Sequence, residues 1–213
     1  MNRTALKVTA ALLSLALLVG CMQTKTSKYE GGAGDNEKLA GSLTELFQQE
    51  LSDEESAKNP FVADVLKRAI NTGRITQADY EEAYRLFRVC LKDAGYVESY
   101  EKLPNGLYKA TPPNLKADDS KKYMEASKNC SSELAPIESL YTVQQGNPNL
   151  LTNQDQAVVQ CLNKAGLVDA SYTVARFQSD LKAGFDKAPY DATSPGAQAC
   201  FASGGYSITL KNP

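Results

Sequence analysis

The chain has 213 residues, 23 basic against 25 acidic, and neither His nor Trp. Such a near-neutral balance lacks the basic excess that phosphate neutralisation requires, so no nucleic-acid partner is expected. Without His there is no Ser-His-Asp triad, no His metal ligand and no His pH switch.

Met1 to Gly20 reads as a secretory signal. Arg3 and Lys7 form a basic start, and Val8 to Val19 is an apolar run too short for an ordinary transmembrane span. It ends Leu18-Val19-Gly20-Cys21. That ending is similar to the lipobox of bacterial lipoproteins, which implies diacylglyceryl attachment to the Cys21 thiol and cleavage before it. Two acyl chains hold a protein stably on a membrane where one does not. The expectation is a chain anchored to the extracytoplasmic face of the cell membrane but not spanning it. Removal of Arg3 and Lys7 leaves 21 basic against 25 acidic residues, a net −4. Residues 21–36 are polar, small and Gly-containing, and predict a flexible tether.

A helical pair is predicted over 37–73. Leu39, Leu43, Leu46, Phe47 and Leu51 share a helical face over roughly 37–52. Asn59-Pro60 then reads as an N-cap before a proline at the first helical position, and Gly73 as the stop.

Behind the pair, a nine-residue stretch occurs twice: Cys90-Leu-Lys-Asp-Ala-Gly-Tyr-Val-Glu98 and Cys161-Leu-Asn-Lys-Ala-Gly-Leu-Val-Asp169. Two pseudo-repeats follow, over 74–145 and 150–213. In the first, Thr76-Gln-Ala-Asp79 predicts a capped helix. Its stripe runs Tyr80, Ala83, Tyr84, Phe87, Cys90, Leu91 and Ala94, with Cys90 buried and Gly95 as the end. Tyr96 to Tyr100 and Leu107 to Ala110 read as strands joined by the turn Leu103-Pro-Asn-Gly106. Asp118-Asp119-Ser120 opens a helix that carries Cys130 and stops before Pro136, and Ile137 to Val143 reads as a strand. In the second repeat, Thr152-Asn-Gln-Asp155 predicts a cap for the helix of Val158, Cys161 and Leu162. Leu167 to Tyr172 reads as a strand, Val174 to Gly184 as a helix, Ser194-Pro195 as the start of a helix bearing Cys200, and Tyr206, Ile208 and Leu210 as an end strand. The fold class predicted is α+β and helix-rich: two disulfide-stapled pseudo-repeats (helix–β–helix) preceded by a helical pair.

An exported chain meets an oxidising exterior, and four cysteines remain beside Cys21. Four allow three pairings. The duplication favours Cys90–Cys130 and Cys161–Cys200, whose separations match; the crossed schemes and free thiols stay open. Cys-x-x-Cys and close metal-binding pairs are absent, and a nucleophilic Cys normally needs a His base. No metal is therefore expected.

Acid clusters at Glu81-Glu82, Asp118-Asp119 and Asp186 with Asp191 are the candidates for a carboxylate pair. They fall at predicted helix starts and in loops, where acids also serve as caps. The sequence contains no Walker loop, Gly-x-Ser-x-Gly or EF-hand pattern, so no cofactor is expected. Tyr96, Tyr100 and Tyr108 would line one hairpin and form the candidate binding face, tyrosine being good contact material for peptides or sugars.

The series Gly73-Arg-Ile-Thr76-x-x-Asp79-Tyr80-Glu-x-Ala83, Phe87-x-x-Cys90-Leu-x-x-Ala-Gly95 and Tyr123-x-x-Ala126-x-x-x-Cys130 resembles a set of actinobacterial surface lipoproteins. The likeness is good over 60–135 and loose over 150–202, where the Gly-x-Ile-Thr lead-in and the Tyr are missing. It implies location and architecture and carries no activity. The functional expectation is a lipid-anchored, non-enzymatic binding or accessory component at the cell surface. Its partner would be a peptide, a wall component or a membrane protein. An envelope hydrolase using a carboxylate pair and a purely structural envelope lipoprotein are the alternatives. Any active face is expected beside the repeated corners, on segments that differ between the copies.

Overall fold

The computed structural model describes residues 37–208. The leader over 1–20, the lipidation residue Cys21, the tether over 21–36 and Leu210 lie outside the described residues.

The first helix, α1 (Leu43–Leu51), starts six residues after the predicted boundary. Residues Glu37 to Leu39 are instead held extended against the loop between the two repeats. Lys38 and Leu151 form an antiparallel bridge, Leu39 N–H donates to Leu150 O at 2.7 Å, and Thr152 N–H donates to Glu37 O at 3.0 Å. The helix begins where Ser42 Oγ accepts from Glu45 N–H and the Glu45 carboxylate reaches back to Gly41 N–H. This reciprocal cap satisfies two otherwise orphaned donors. A short helix, α2 (Glu54–Lys58), was not expected; Asp53 caps it. Next, α3 (Pro60–Thr72) runs from the Asn59 cap and Pro60 to left-handed Gly73, as predicted.

In the first repeat, α4 (Gln77–Asp93) carries the predicted Thr76–Asp79 capping box. It is followed by β1 (Ser99–Lys102) and β2 (Tyr108–Thr111), paired antiparallel with Ser99 opposite Thr111 and Lys102 opposite Tyr108. The strand starts later than Tyr96. The turn closes through Gly106, whose φ of 83° suits a residue without a Cβ, and it buries Leu103 and Leu107 on either side. Then come α5 (Ala117–Cys130) and α6 (Leu134–Gly146). The strand read for Ile137 to Val143 is therefore a helix. Pro136 falls in its first turn, where the missing N–H has no intrahelical acceptor to lose.

Among the described residues the second repeat holds three helices and no paired strands of its own: α7 (Gln154–Lys164), α8 (Val174–Lys182) and α9 (Pro195–Ser203). The cap of α7 is Asn153, whose Oδ1 accepts from Gln156 N–H, and not Thr152, whose hydroxyl is turned to Glu37 O. Leu167 to Tyr172 forms no strand. Asp169 accepts from Ser171 N–H at 2.8 Å and its carbonyl from Tyr172 N–H, which bends the chain into a turn. Residues Tyr206 to Ile208 form no strand either.

Two apolar cores result. One gathers Phe47, Val65, Leu66, Tyr80, Leu91 and Ile137 from α1, α3, α4 and α6; the other gathers Val158, Leu162, Phe177 and Phe201 from α7, α8 and α9. Full burial of each such side chain is worth about 1.5–3 kcal/mol. The cores join where α6 packs on α9. Asn105 of the hairpin turn donates to Ala199 O at 3.0 Å and to Ser203 Oγ at 2.9 Å, and Lys109 Nζ donates to Gln198 Oε1 at 2.8 Å.

The disulfides are Cys90–Cys130 and Cys161–Cys200, with Cα separations of 5.6 and 5.4 Å. The fold is thus α+β and helix-rich, with one staple in each copy and, among the described residues, a sheet only in the first. One expectation fails in detail: Cys90 is exposed. The buried stripe of α4 runs through Tyr80, Ala83, Tyr84, Phe87 and Leu91, so Cys90 stands about 80° from its centre, on the flank where α5 packs. Cys130, at the other end of the bond, is buried.

Candidate functional site

The repeated sequence builds the same corner twice. In the first copy Ala94 N–H donates to Cys90 O, Gly95 N–H to Lys92 O and Tyr96 N–H to Leu91 O. In the second, Ala165 N–H donates to Cys161 O, Gly166 N–H to Asn163 O and Leu167 N–H to Leu162 O. Both glycines are left-handed, with φ of 90° and 70°. This is the Schellman closure, in which a residue without Cβ lets the chain turn back on the last carbonyls. What the corner needs is common to both copies: Leu91 and Leu162 buried, Gly95 and Gly166 at positive φ.

Beside the first corner lies a groove of about 300 Å³, lined by Arg85, Arg88, Val89, Leu91, Lys92, Tyr96, Val97, Glu98 and Tyr100. Its floor is α4 and its rim is the extended segment leading into β1. Arg85, Arg88 and Lys92 fall at i, i+3 and i+7, one stripe of the helix. Arg85 is occupied: Nε and Nη2 each lie 2.7 Å from the Glu82 carboxylate, which holds the guanidinium pKa above its ordinary value. Arg88 Cζ sits 4.9 Å from the centre of the Tyr100 ring, within cation–π range. Among the described residues neither Arg88 nor Lys92 has a carboxylate within ion-pair distance. Lys92 lies in the last turn of α4, where the helix dipole favours a cation.

The one acid in the lining is already engaged. Glu98 accepts from the hydroxyls of Tyr100 and Tyr123, and Tyr123 meets Tyr96 edge-on at 5.4 Å. Burial, then Glu98, pushes the Tyr100 and Tyr123 phenols far above their ordinary pKa, so both remain protonated donors. The apolar part of the groove is open to solvent: Val97 is 71 % exposed and Val89 47 % exposed. Val97 N–H, between helix and strand, donates to no acceptor among the described residues.

Of the three predicted face residues, Tyr96 and Tyr100 line the groove, and Tyr108 does not. Tyr108 stacks on Tyr80 at 5.8 Å and 15°, and its N–H donates to the Tyr80 hydroxyl at 3.0 Å. It belongs to a tyrosine layer with Tyr80, Tyr84 and Tyr141 that caps the first core. Pairing in the β1–β2 ladder puts Tyr108 opposite Lys102, away from Tyr96. The residues missed from sequence are Arg85, Arg88 and Lys92. Their signal was a basic stripe absent from the matching positions of the second copy, Gln156, Val159 and Asn163.

Among the described side chains the acid clusters do not converge. Glu81 pairs with Lys102 at 2.7 Å, Glu82 with Arg85, and Asp119 with Lys122 at 3.7 Å. Asp191 accepts from Thr193 N–H and from the Thr193 hydroxyl. A separate buried carboxylate, Asp180, accepts from the Tyr172 hydroxyl at 2.9 Å and pairs with Arg176 Nε at 3.0 Å. Among the described residues no group of three or more Cys, Asp or Glu side chains converges as metal ligands would, and no helix is long and apolar enough to cross a membrane. Comparisons of the chain with protein-family models, with curated proteins and with solved structures found no match.

Proposed function

We propose that the chain is a lipid-anchored extracytoplasmic protein that acts as a non-enzymatic binding or accessory component at the cell surface, and that the groove beside the first corner is its binding face. The Leu18-Val19-Gly20-Cys21 ending and the two disulfides support the location. So does the resemblance to actinobacterial surface lipoproteins.

One observation carries the choice of face. The second corner closes with the same hydrogen bonds without the cations or the tyrosines, so closure of the corner does not require them, although Tyr100 also packs against the first core. Side chains that a corner does not need, arranged around solvent-exposed valines, are what a binding surface would add. Two tests apply. A fatty-acid probe should label the wild-type chain and not Cys21→Ser; label on the serine variant would rule out the anchor. A photo-crosslinking residue at Val97, in intact cells, should give a discrete adduct that the same residue at exposed Lys164 does not. Equal adducts, or none, would contradict the assignment of the face.

A further inference from the structure

We infer that the groove takes an extended acidic peptide segment of a neighbouring protein, with a carboxylate between Arg88 and Lys92 and an aliphatic or aromatic neighbour against Val89 and Val97. The inference rests on the groove being the binding face and adds the chemistry of its occupant.

Charge complementarity selects the sign. Among the described residues Arg88 and Lys92 of the groove have no carboxylate within ion-pair distance, while Glu98, the acid in its lining, is held by two tyrosine hydroxyls. The chain as a whole carries a slight acidic excess, 25 against 23, so two neighbouring cations in one groove are a local departure that draws an acidic segment here. Arg88 is already oriented by the Tyr100 ring beneath it, which lowers the ordering cost of gripping a carboxylate.

Shape and backbone select a peptide. A volume of about 300 Å³ holds two or three side chains rather than a bilayer surface, which a concave site would not meet. Val97 N–H, two residues before β1, donates to no acceptor among the described residues, as the edge of a strand open to an added one would not. A peptide carbonyl would accept that hydrogen bond while alternate side chains face the groove. Val97, now 71 % exposed, would be covered by the apolar neighbour.

The test uses the full chain in a nonionic detergent against an immobilised library of hexapeptides. Members combine acidic, neutral or basic residues with aliphatic and aromatic ones. Binding is expected to be confined to acidic members, to weaken about fivefold for each of Arg88→Gln and Lys92→Gln, and to switch to basic members in the Arg88→Glu/Lys92→Glu variant. Dihexanoyl phosphatidylglycerol and inorganic phosphate should not displace the bound peptide. A library with no binders, equal binding of neutral members, or displacement by the short-chain lipid overturns the inference. Persistence of the Val97 adduct in cells carrying Arg88→Gln/Lys92→Gln would overturn it while leaving the groove as the binding face. Loss of the adduct in wild-type cells strikes the face itself.

Discussion

The Arg88 guanidinium carbon lies 4.9 Å from the centre of the Tyr100 ring, while the Tyr100 hydroxyl donates to Glu98. The ring thus supports the groove's central cation on one face and fixes its acid at the edge. Tyr100→Phe keeps the face and should cost about 1 kcal/mol for the lost hydrogen bond. Tyr100→Leu removes both and should cost roughly 1 kcal/mol more. Chemical denaturation of the two variants checks the order. Equal losses would show that the ring carries none of the effect.

The two repeats are held together by close backbone approach. A Cβ placed on Gly146 would meet Ser203 Cβ at 1.7 Å and Ser203 Cα at 2.8 Å. Gly146→Ala should therefore destabilise by about 1–3 kcal/mol or more, since α6 and α9 must move apart. Ser203→Gly removes the nearer atom, so the double variant should recover part of that loss. Thermal unfolding reads the cycle. Simple additivity of the two changes would contradict direct contact.

Two carboxyls give stability opposite pH dependences. Burial pulls the Asp79 carboxyl up, but the Thr76 hydroxyl and the Arg68 guanidinium outweigh it and hold it below 3.8. Its contribution is present above that value and is lost as pH falls through the lowered one. Burial pushes the Glu138 carboxyl above 4.5, against the hydrogen bond that the Tyr84 hydroxyl donates. Glu138 contributes fully below 4.5 and loses that contribution as pH rises through the raised value. Denaturation between about pH 3 and 7 should show Asp79→Asn flattening the acid limb and Glu138→Gln flattening the decline above 4.5. A wild-type slope in the Glu138→Gln variant above 4.5 would contradict this reading.

The disulfides differ in access. Cys90 is exposed, whereas Cys161 is half-buried and Cys200 buried. Mild reduction followed by alkylation should modify Cys90 and Cys130 first. Each bond closes a loop of about forty residues, so opening either should cost roughly 4 kcal/mol on the chain-entropy estimate. Peptide mapping decides the order, and earlier modification of Cys161 would reverse it.

Caps and stops were legible because they are local: Thr76 with Asp79, Asn59 with Pro60, Gly95 and Gly166 each act within a few residues. The duplication favoured the cysteine pairing that the structure shows, because matching separations of 40 and 39 residues suit one bond in each copy. The misread segments depend on partners remote in sequence or on partner residues that differ between the copies. Residues 37 to 39 leave the helix because the loop at Leu150 to Thr152 offers them backbone partners. Asp169 accepts from Ser171 in its own turn, while Glu98 accepts from Tyr100 and from Tyr123, and the second copy has Ser171 at the place of Tyr100. Ile137 to Val143 is apolar enough for either structure, and packing against α4 decides for helix. The groove cations were visible as a stripe, but only the geometry of the two corners separates them from an ordinary solvated helix face.

Amide hydrogen exchange of the full chain, with and without the tightest acidic hexapeptide, tests the binding face most directly. Val97 and Glu98 should become protected, while Val168 and Asp169, at the same place in the second corner, should not change. Equal protection at both corners, or at neither, would contradict the account.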